Sequence, residues 1–178
     1  MTHLSTDLTY SVTAVACALV GSVFDVKSRR IPNFITFPSM LLGLALHLAL
    51  GGWKQLLLSL AAGLICGIVF LLFYIAGGMG AGDVKLITAV GCIAGMPHVA
   101  YLLVLTALCG GAMAIVLALA RGQLQQTIVN VGAIASHHSE QGLQPHPDLN
   151  LTNLNTNRLP YALAIAGGSL LTLYFQIQ

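Results

Sequence analysis

Two carboxylates, Asp25 and Asp83, differ from the other acids of this sequence in where they fall, each at the edge of a long apolar run. The remaining acids, Asp7, Glu140 and Asp148, lie in the amino-terminal tail and in a polar connection, where water can solvate them. An ionisable group at the boundary of an apolar segment is costly to keep there, so it points to a function and to a nearby partner. Two carboxyl groups within a few ångströms cannot both ionise cheaply: one keeps a proton while the other acts as a base. Peptide hydrolysis needs such a pair. The ionised group takes a proton from a water attacking the carbonyl carbon, the protonated group hydrogen-bonds the carbonyl oxygen, and the two titrate as a unit. Bland readings stand beside this one. Asp83, following a glycine-rich turn, could simply cap a helix, and Asp25, close to Lys27 and Arg29, could be a boundary ion pair stabilising by under ~1 kcal/mol.

The residues around each acid narrow the choice. The second acid lies in Gly77-Gly78-Met79-Gly80-Ala81-Gly82-Asp83-Val84-Lys85-Leu86, where glycines at 80 and 82 free the backbone and let a substrate strand approach without a Cβ in the way. The first lies in Asp25-Val26-Lys27-Ser28-Arg29-Arg30-Ile31-Pro32-Asn33. Pro32 there pre-sets the start of a helix and Asn33 can cap or turn the chain, holding Asp25 at a fixed depth. Lys85, two residues past Asp83, points to another helix face, where reaching for lipid headgroups is its first expected role and orienting the site its second.

These segments sit in a chain that is 57% hydrophobic and 7% charged, against about 25% charged for a soluble domain. The expected fold is an all-α integral membrane bundle forming one domain over residues 1–178. A net charge of +2 without a basic, aromatic-studded stripe excludes nucleic acid as a partner. The four cysteines, Cys17, Cys66, Cys92 and Cys109, lie in apolar runs without a CxxC pair, so neither a disulfide framework nor a thiolate metal site is expected. His137, His138 and His146 lack a set of ligands at metal spacing, and no metal or other cofactor is expected. His47 reads as a polar contact between helices. The first seven residues carry no Lys or Arg, so the first apolar run should be retained rather than cleaved as a signal peptide.

A crossing takes about 20 apolar residues. The runs Leu8 to Phe24, Asn33 to Leu50, Gln55 to Ala76, Val99 to Ala120 and Leu159 to Phe175 reach or approach that length, and Val84 to Ala94 is a short sixth. With the amino terminus outside, Lys27, Arg29, Arg30, Lys85, Arg121 and Arg158 face the cytoplasm and Lys54 alone lies opposite, as the positive-inside rule requires. Trp53 and Tyr101 read as interfacial anchors. The polar connection 121–158 places Leu124, Ile128, Val131 and Ala135 at near-helical spacing, suiting an amphipathic helix on the membrane surface, with a loop from Ser136 to Asn157.

Taken together, Asp25 followed by Arg30-Ile31-Pro32-Asn33 and then Gly80-Ala81-Gly82-Asp83-Val84-Lys85-Leu86 resemble the type IV prepilin peptidases, a family of GxGD membrane aspartic proteases. The start of the last run, Leu159-Pro160-Tyr161-Ala162, is similar to that family's closing helix. The resemblance implies that Asp25 and Asp83 are catalytic, that Gly80 and Gly82 position the second, and that Lys85, Arg30, Pro32 and Asn33 support the site or place the substrate. It implies prepilin or pseudopilin substrates, cut at the cytoplasmic surface of the inner membrane to release a short basic leader. The absence of CxxC pairs is similar to the short, peptidase-only branch of tight-adherence (Flp-type) systems, and the archaeal preflagellin peptidases share the same two-aspartate plan. Presenilin-like proteins place a Tyr before their first aspartate, where this chain has Phe24. A competing class, a proton-coupled transporter or channel subunit using Asp25 and Asp83 as a relay, would place its acids near mid-bilayer rather than at helix ends.

Overall fold

A computed structural model describes residues 2–142, 144 and 160–178. The expected loop from Ser136 to Asn157, which carries His146 and Asp148, therefore lies outside the described residues for most of its length, as does Arg158. Among the described residues there are six α-helices: α1 (Thr2–Ser28), α2 (Asn33–Ile75), α3 (Ala81–Ala94), α4 (Val99–Ala120), α5 (Leu124–Gln141) and α6 (Tyr161–Ile177). A 3-10 turn, Met96–His98, links α3 to α4. The fold is all-helical and that of a membrane protein: α1, α2 and the stretch Met96–Ala120 are long and apolar enough to cross a bilayer.

The longest helix is not straight. Residues expected as two separate runs share one hydrogen-bonded helix, α2, interrupted at Gly52, whose φ of 75° and ψ of −171° only glycine adopts readily. Contacts with α3 show what happens there. In the first arm, Gly43 lies against Ile93, and His47 lies against Gly95 and bonds the Ile93 carbonyl. In the second arm, Ser59 bonds the Cys92 carbonyl and Gly67 lies against Thr88. The first arm thus climbs with α3 and the second descends against it, so α2 is a hairpin reversing at Gly52.

This hairpin grips α3 on two sides, while α1 and α6 cover the rest. Leu86, Ile87, Ala89, Val90 and Ile93 of α3 are almost fully enclosed, as befits a helix that is apolar all round. At 14 residues α3 is about 21 Å long, too short to cross alone, and it crosses no lipid-facing surface because its neighbours wrap it. Small residues permit that close wrapping, as at Gly21, where a Cβ would collide with Leu86, and at Gly63, where it would collide with Cys92. The lipid-facing apolar surface is carried instead by Leu57, Leu64, Ile68, Val104, Leu108, Val116 and their neighbours on α2 and α4.

α6 runs antiparallel to α1, with Gln176 bonded to Ser11, and antiparallel to α4, with Gly168 against Thr106 and Tyr161 against Gly110. The rest of α4 beyond Gly110 continues about 15 Å past the start of α6 before α5 begins. α5 is helical as expected but runs to Gln141, taking in the six residues Ser136 to Gln141 that the sequence suggested for a loop. Its Ile128, Val129 and Val131 are exposed. At the far end of the bundle, His47 is buried and stacks on Tyr10 with ring centroids 3.9 Å apart, the inter-helix contact expected of it.

Candidate active site

The first acid is set by how α1 ends. Asp25 is not the last residue of its helix: α1 continues to Ser28, so the carboxyl sits in the final turn and is half-buried. Arg29 then takes a left-handed conformation, φ 52°, which stops the helix while its N–H still bonds the Asp25 carbonyl at 2.8 Å. Ile31 is buried, Arg30 is exposed, and Pro32 starts α2 with its carbonyl accepting from Ile35.

The second acid is set by how α3 begins. Gly80 is extended and its carbonyl accepts from the Asp83 N–H at 3.1 Å, while the Gly80 N–H donates back to Asp83 Oδ2 at 3.2 Å. This is the acidic half of a capping box, and glycine has no side chain to return the other half. The capping role anticipated for Asp83 therefore accounts for one carboxyl oxygen. The other, Oδ1, is buried without a hydrogen-bond partner in a residue only 9% exposed, and a buried unpaired carboxyl oxygen costs about 1–3 kcal/mol unless something in the working cycle fills it.

The two motifs interlock directly. A Cβ at Gly82 would lie 3.3 Å from Ile31 Cβ and 3.4 Å from the Ile31 backbone nitrogen, so the turn after Asp25 is seated on the bare glycine backbone before Asp83. Lys85 Nζ donates to Asn33 Oδ1 at 2.9 Å, tying the same turn to α3. Asp25 and Asp83 are brought close enough for the charge of one to act on the other. The start of α6 closes the third side: the Ala162 backbone amide is directed at the Asp25 carboxyl, and Tyr161 interacts electrostatically with Asp83.

Beside the pair, between the first arm of α2 and α3, opens a cavity of about 600 Å³ lined by Phe34, Phe37, Pro38, Met40, Val84 and Thr88, with Asn33 and Lys85 at one end. Pro38 has no N–H, so the Phe34 carbonyl one turn earlier loses its usual helical donor. The cavity is mostly apolar.

The sequence matches the type IV leader peptidase family over residues 12–115, a stretch that contains both aspartates, the turn between α1 and α2, all of α3 and every residue of the cavity. The chain belongs to the type IV leader peptidase family. No curated protein and no solved structure matches it. As a family member it is a membrane peptidase, and the groups gathered here, two carboxyls beside an apolar cavity, are of a kind that can serve peptide hydrolysis. All of the supporting positions expected from sequence, Gly80, Gly82, Lys85, Arg30, Pro32 and Asn33, fall in or next to these two turns. Sequence reasoning missed Ile31 as the residue that joins the turns, and missed Tyr161 and Ala162, which lie beyond the family match. The run Leu159-Pro160-Tyr161-Ala162 had marked a helix start there but not a place beside the aspartates, because a backbone amide leaves no mark on residue type.

Proposed function

We propose that the protein is an aspartic endopeptidase that removes the leader peptide from prepilin or pseudopilin precursors at the cytoplasmic face of the inner membrane. The observation that carries this reading is the convergence of Asp25 and Asp83 through the Ile31–Gly82 contact, with Asp83 Oδ1 buried and unpaired. The water to be activated sits between the two carboxyls. One of them, ionised, takes its proton as it attacks the scissile carbonyl, and the other, protonated, donates to the carbonyl oxygen and later to the leaving amine. The apolar residues on one side of the cut lie in the cavity next to Val84.

Sidedness follows from the charges. Lys27, Arg29, Arg30, Lys85 and Arg121 stand at the end of the bundle that holds the aspartates, and Lys54 stands at the Gly52 reversal at the other end. The positive-inside rule then puts the site on the cytoplasmic face and the amino terminus outside. On this reading the two arms of α2, about 28 and 34 Å long, are separate crossings of a multi-pass protein, and exposed apolar residues of α5 rest on the membrane surface.

The test is leader removal from a candidate prepilin in membranes carrying the wild type, Asp25→Ala or Asp83→Ala. The wild type is expected to cleave and both variants to lose detectable cleavage. Cleavage surviving either substitution would falsify the two-aspartate mechanism.

A further inference from the structure

The cavity beside the aspartates has a direction. Along α2 it begins at Asn33, the first residue of the helix, and ends at Met40, about 10 Å further on. On α3 its wall runs from Val84 and Lys85 to Thr88. The first arm of α2 climbs with α3, so both walls start polar at one level and become apolar together with depth. The polar end is the bond from Lys85 Nζ to Asn33 Oδ1, 2.9 Å long. Its acceptor is an uncharged amide, which leaves the positive charge of Lys85 uncompensated and keeps the N–H groups of the same amide as further donors. At the inner end Thr88 turns its hydroxyl back to the Val84 carbonyl at 2.7 Å, so its polar group is already satisfied there.

The apolar body opens sideways. Phe34 is 69% exposed and Phe37 58%, both at the start of a helix long and apolar enough to cross a bilayer, so the lateral mouth meets acyl chains rather than water. A cation and amide donors at the end of the bundle, above a mostly apolar slot open to lipid, repeat the order of groups in one leaflet, and basic pockets of this kind between membrane helices take lipid headgroups.

We propose that this cavity binds one anionic phospholipid, its phosphate on Lys85 and Asn33 and an acyl chain between Phe34, Phe37, Met40 and Val84. A zwitterionic lipid carries the same phosphate, but its own cation competes with Lys85 for it. Resting on the peptidase reading above, in which substrate residues enter the same cavity, the lipid and the substrate exclude each other, and the precursor must displace the lipid to be cut.

The test places the full chain in vesicles holding a trace of phosphatidylglycerol or phosphatidylcholine with a diazirine in one acyl chain, followed by illumination and peptide mapping. Phosphatidylglycerol is expected to label residues 34–40 and 84–88 about fivefold more than phosphatidylcholine does, the effect of one cation beside an anionic headgroup, while the two lipids label the surface around Leu64 and Val104 alike. Lys85→Gln should abolish the preference, and Met40→Trp, which fills the inner end, should abolish labelling of 84–88 by either lipid. A preference that survives Lys85→Gln, or cavity labelling no more selective than that around Leu64, shows boundary lipid only and overturns the proposal. This labelling needs no substrate, so it is decided separately from leader removal. Where a precursor is cleaved, adding it should reduce the cavity labelling, and cleavage with undiminished labelling overturns the exclusion of one by the other.

Discussion

Replacing Gly82 with Ala separates stability from activity at the junction of the two aspartate turns. The new Cβ would stand 3.3 Å from Ile31 Cβ and 3.4 Å from both Ile31 Cγ1 and the Ile31 nitrogen, closer than ordinary packing, so the turn must retreat by a few tenths of an ångström. Overpacking of that degree costs about 1 kcal/mol, the low end of the usual range. Against it, Gly82 lies in the first turn of α3, where alanine is favoured over glycine by roughly 1 kcal/mol. The two terms nearly cancel, and the unfolding midpoint in detergent should stay within about 1 kcal/mol of wild type. Activity has no such offset. Asp25 lies six residues ahead of Ile31, in the last turn of α1, and a misplacement approaching 1 Å can cost a hundredfold, so a shift of tenths should lower kcat/KM by about tenfold. Adding Ile31→Ala gives the turn room to settle: the double variant should recover part of the loss, and the coupling in a double-mutant cycle should be about 0.5–3 kcal/mol. Wild-type kcat/KM in Gly82→Ala, or strict additivity of the two changes, would refute the claim that this contact sets the aspartates' spacing.

Two further substitutions probe the frame around the site. Gly168→Ala puts a Cβ 2.3 Å from Thr106 Oγ1 and 2.6 Å from the Thr106 backbone nitrogen; backbone cannot yield, so α4 and α6 must part, at a cost of about 3 kcal/mol in detergent unfolding, and leader removal should fall in parallel because α6 carries Tyr161 and Ala162. Gly52→Ala meets no atom within 4 Å, so it tests backbone strain alone: about 1–3 kcal/mol of destabilisation, read by thermal unfolding, with an unchanged midpoint showing that the reversal does not depend on glycine.

What could be read from the chain was what side chains announce. The GxGD run, the Arg-Ile-Pro-Asn run and the apolar segments all identified themselves by residue type: the first opens α3, the second leads into α2, and the apolar segments are helical, two of them joined in the single helix α2. What could not be read was what backbone does. Gly82 looked like a residue kept bare for a substrate, whereas the structure seats Ile31 against it. The Ala162 amide at Asp25 joins positions on either side of a long polar connection, and no local pattern records such a contact. Periodicity also failed for α5, because Ser136-His137-His138-Ser139-Glu140-Gln141 has no apolar stripe, yet the helix runs through it. The short run 84–94 looked like a crossing helix, and its length makes sense only once the α2 hairpin is known to shield it.

That hairpin is the reason the pair can exist. Between Asp25 and Asp83 the chain spends 43 residues in α2. Drawn out as one rod these would reach about 65 Å and leave the second acid that far from the first. Reversal at Gly52 turns the distance into an excursion out and back along α3, as the climbing contacts of Gly43 and His47 and the descending contacts of Ser59 and Gly67 record. The start of α3 therefore returns to the end of the bundle where α1 stops. Two arms are the smallest number of passes that bring it back to that end, and the interlocked turns at Ile31 and Gly82 then fix what the hairpin has brought near. α6, arriving after the long polar connection, needs only to start at that same level for its first amides to meet a carboxyl already in place.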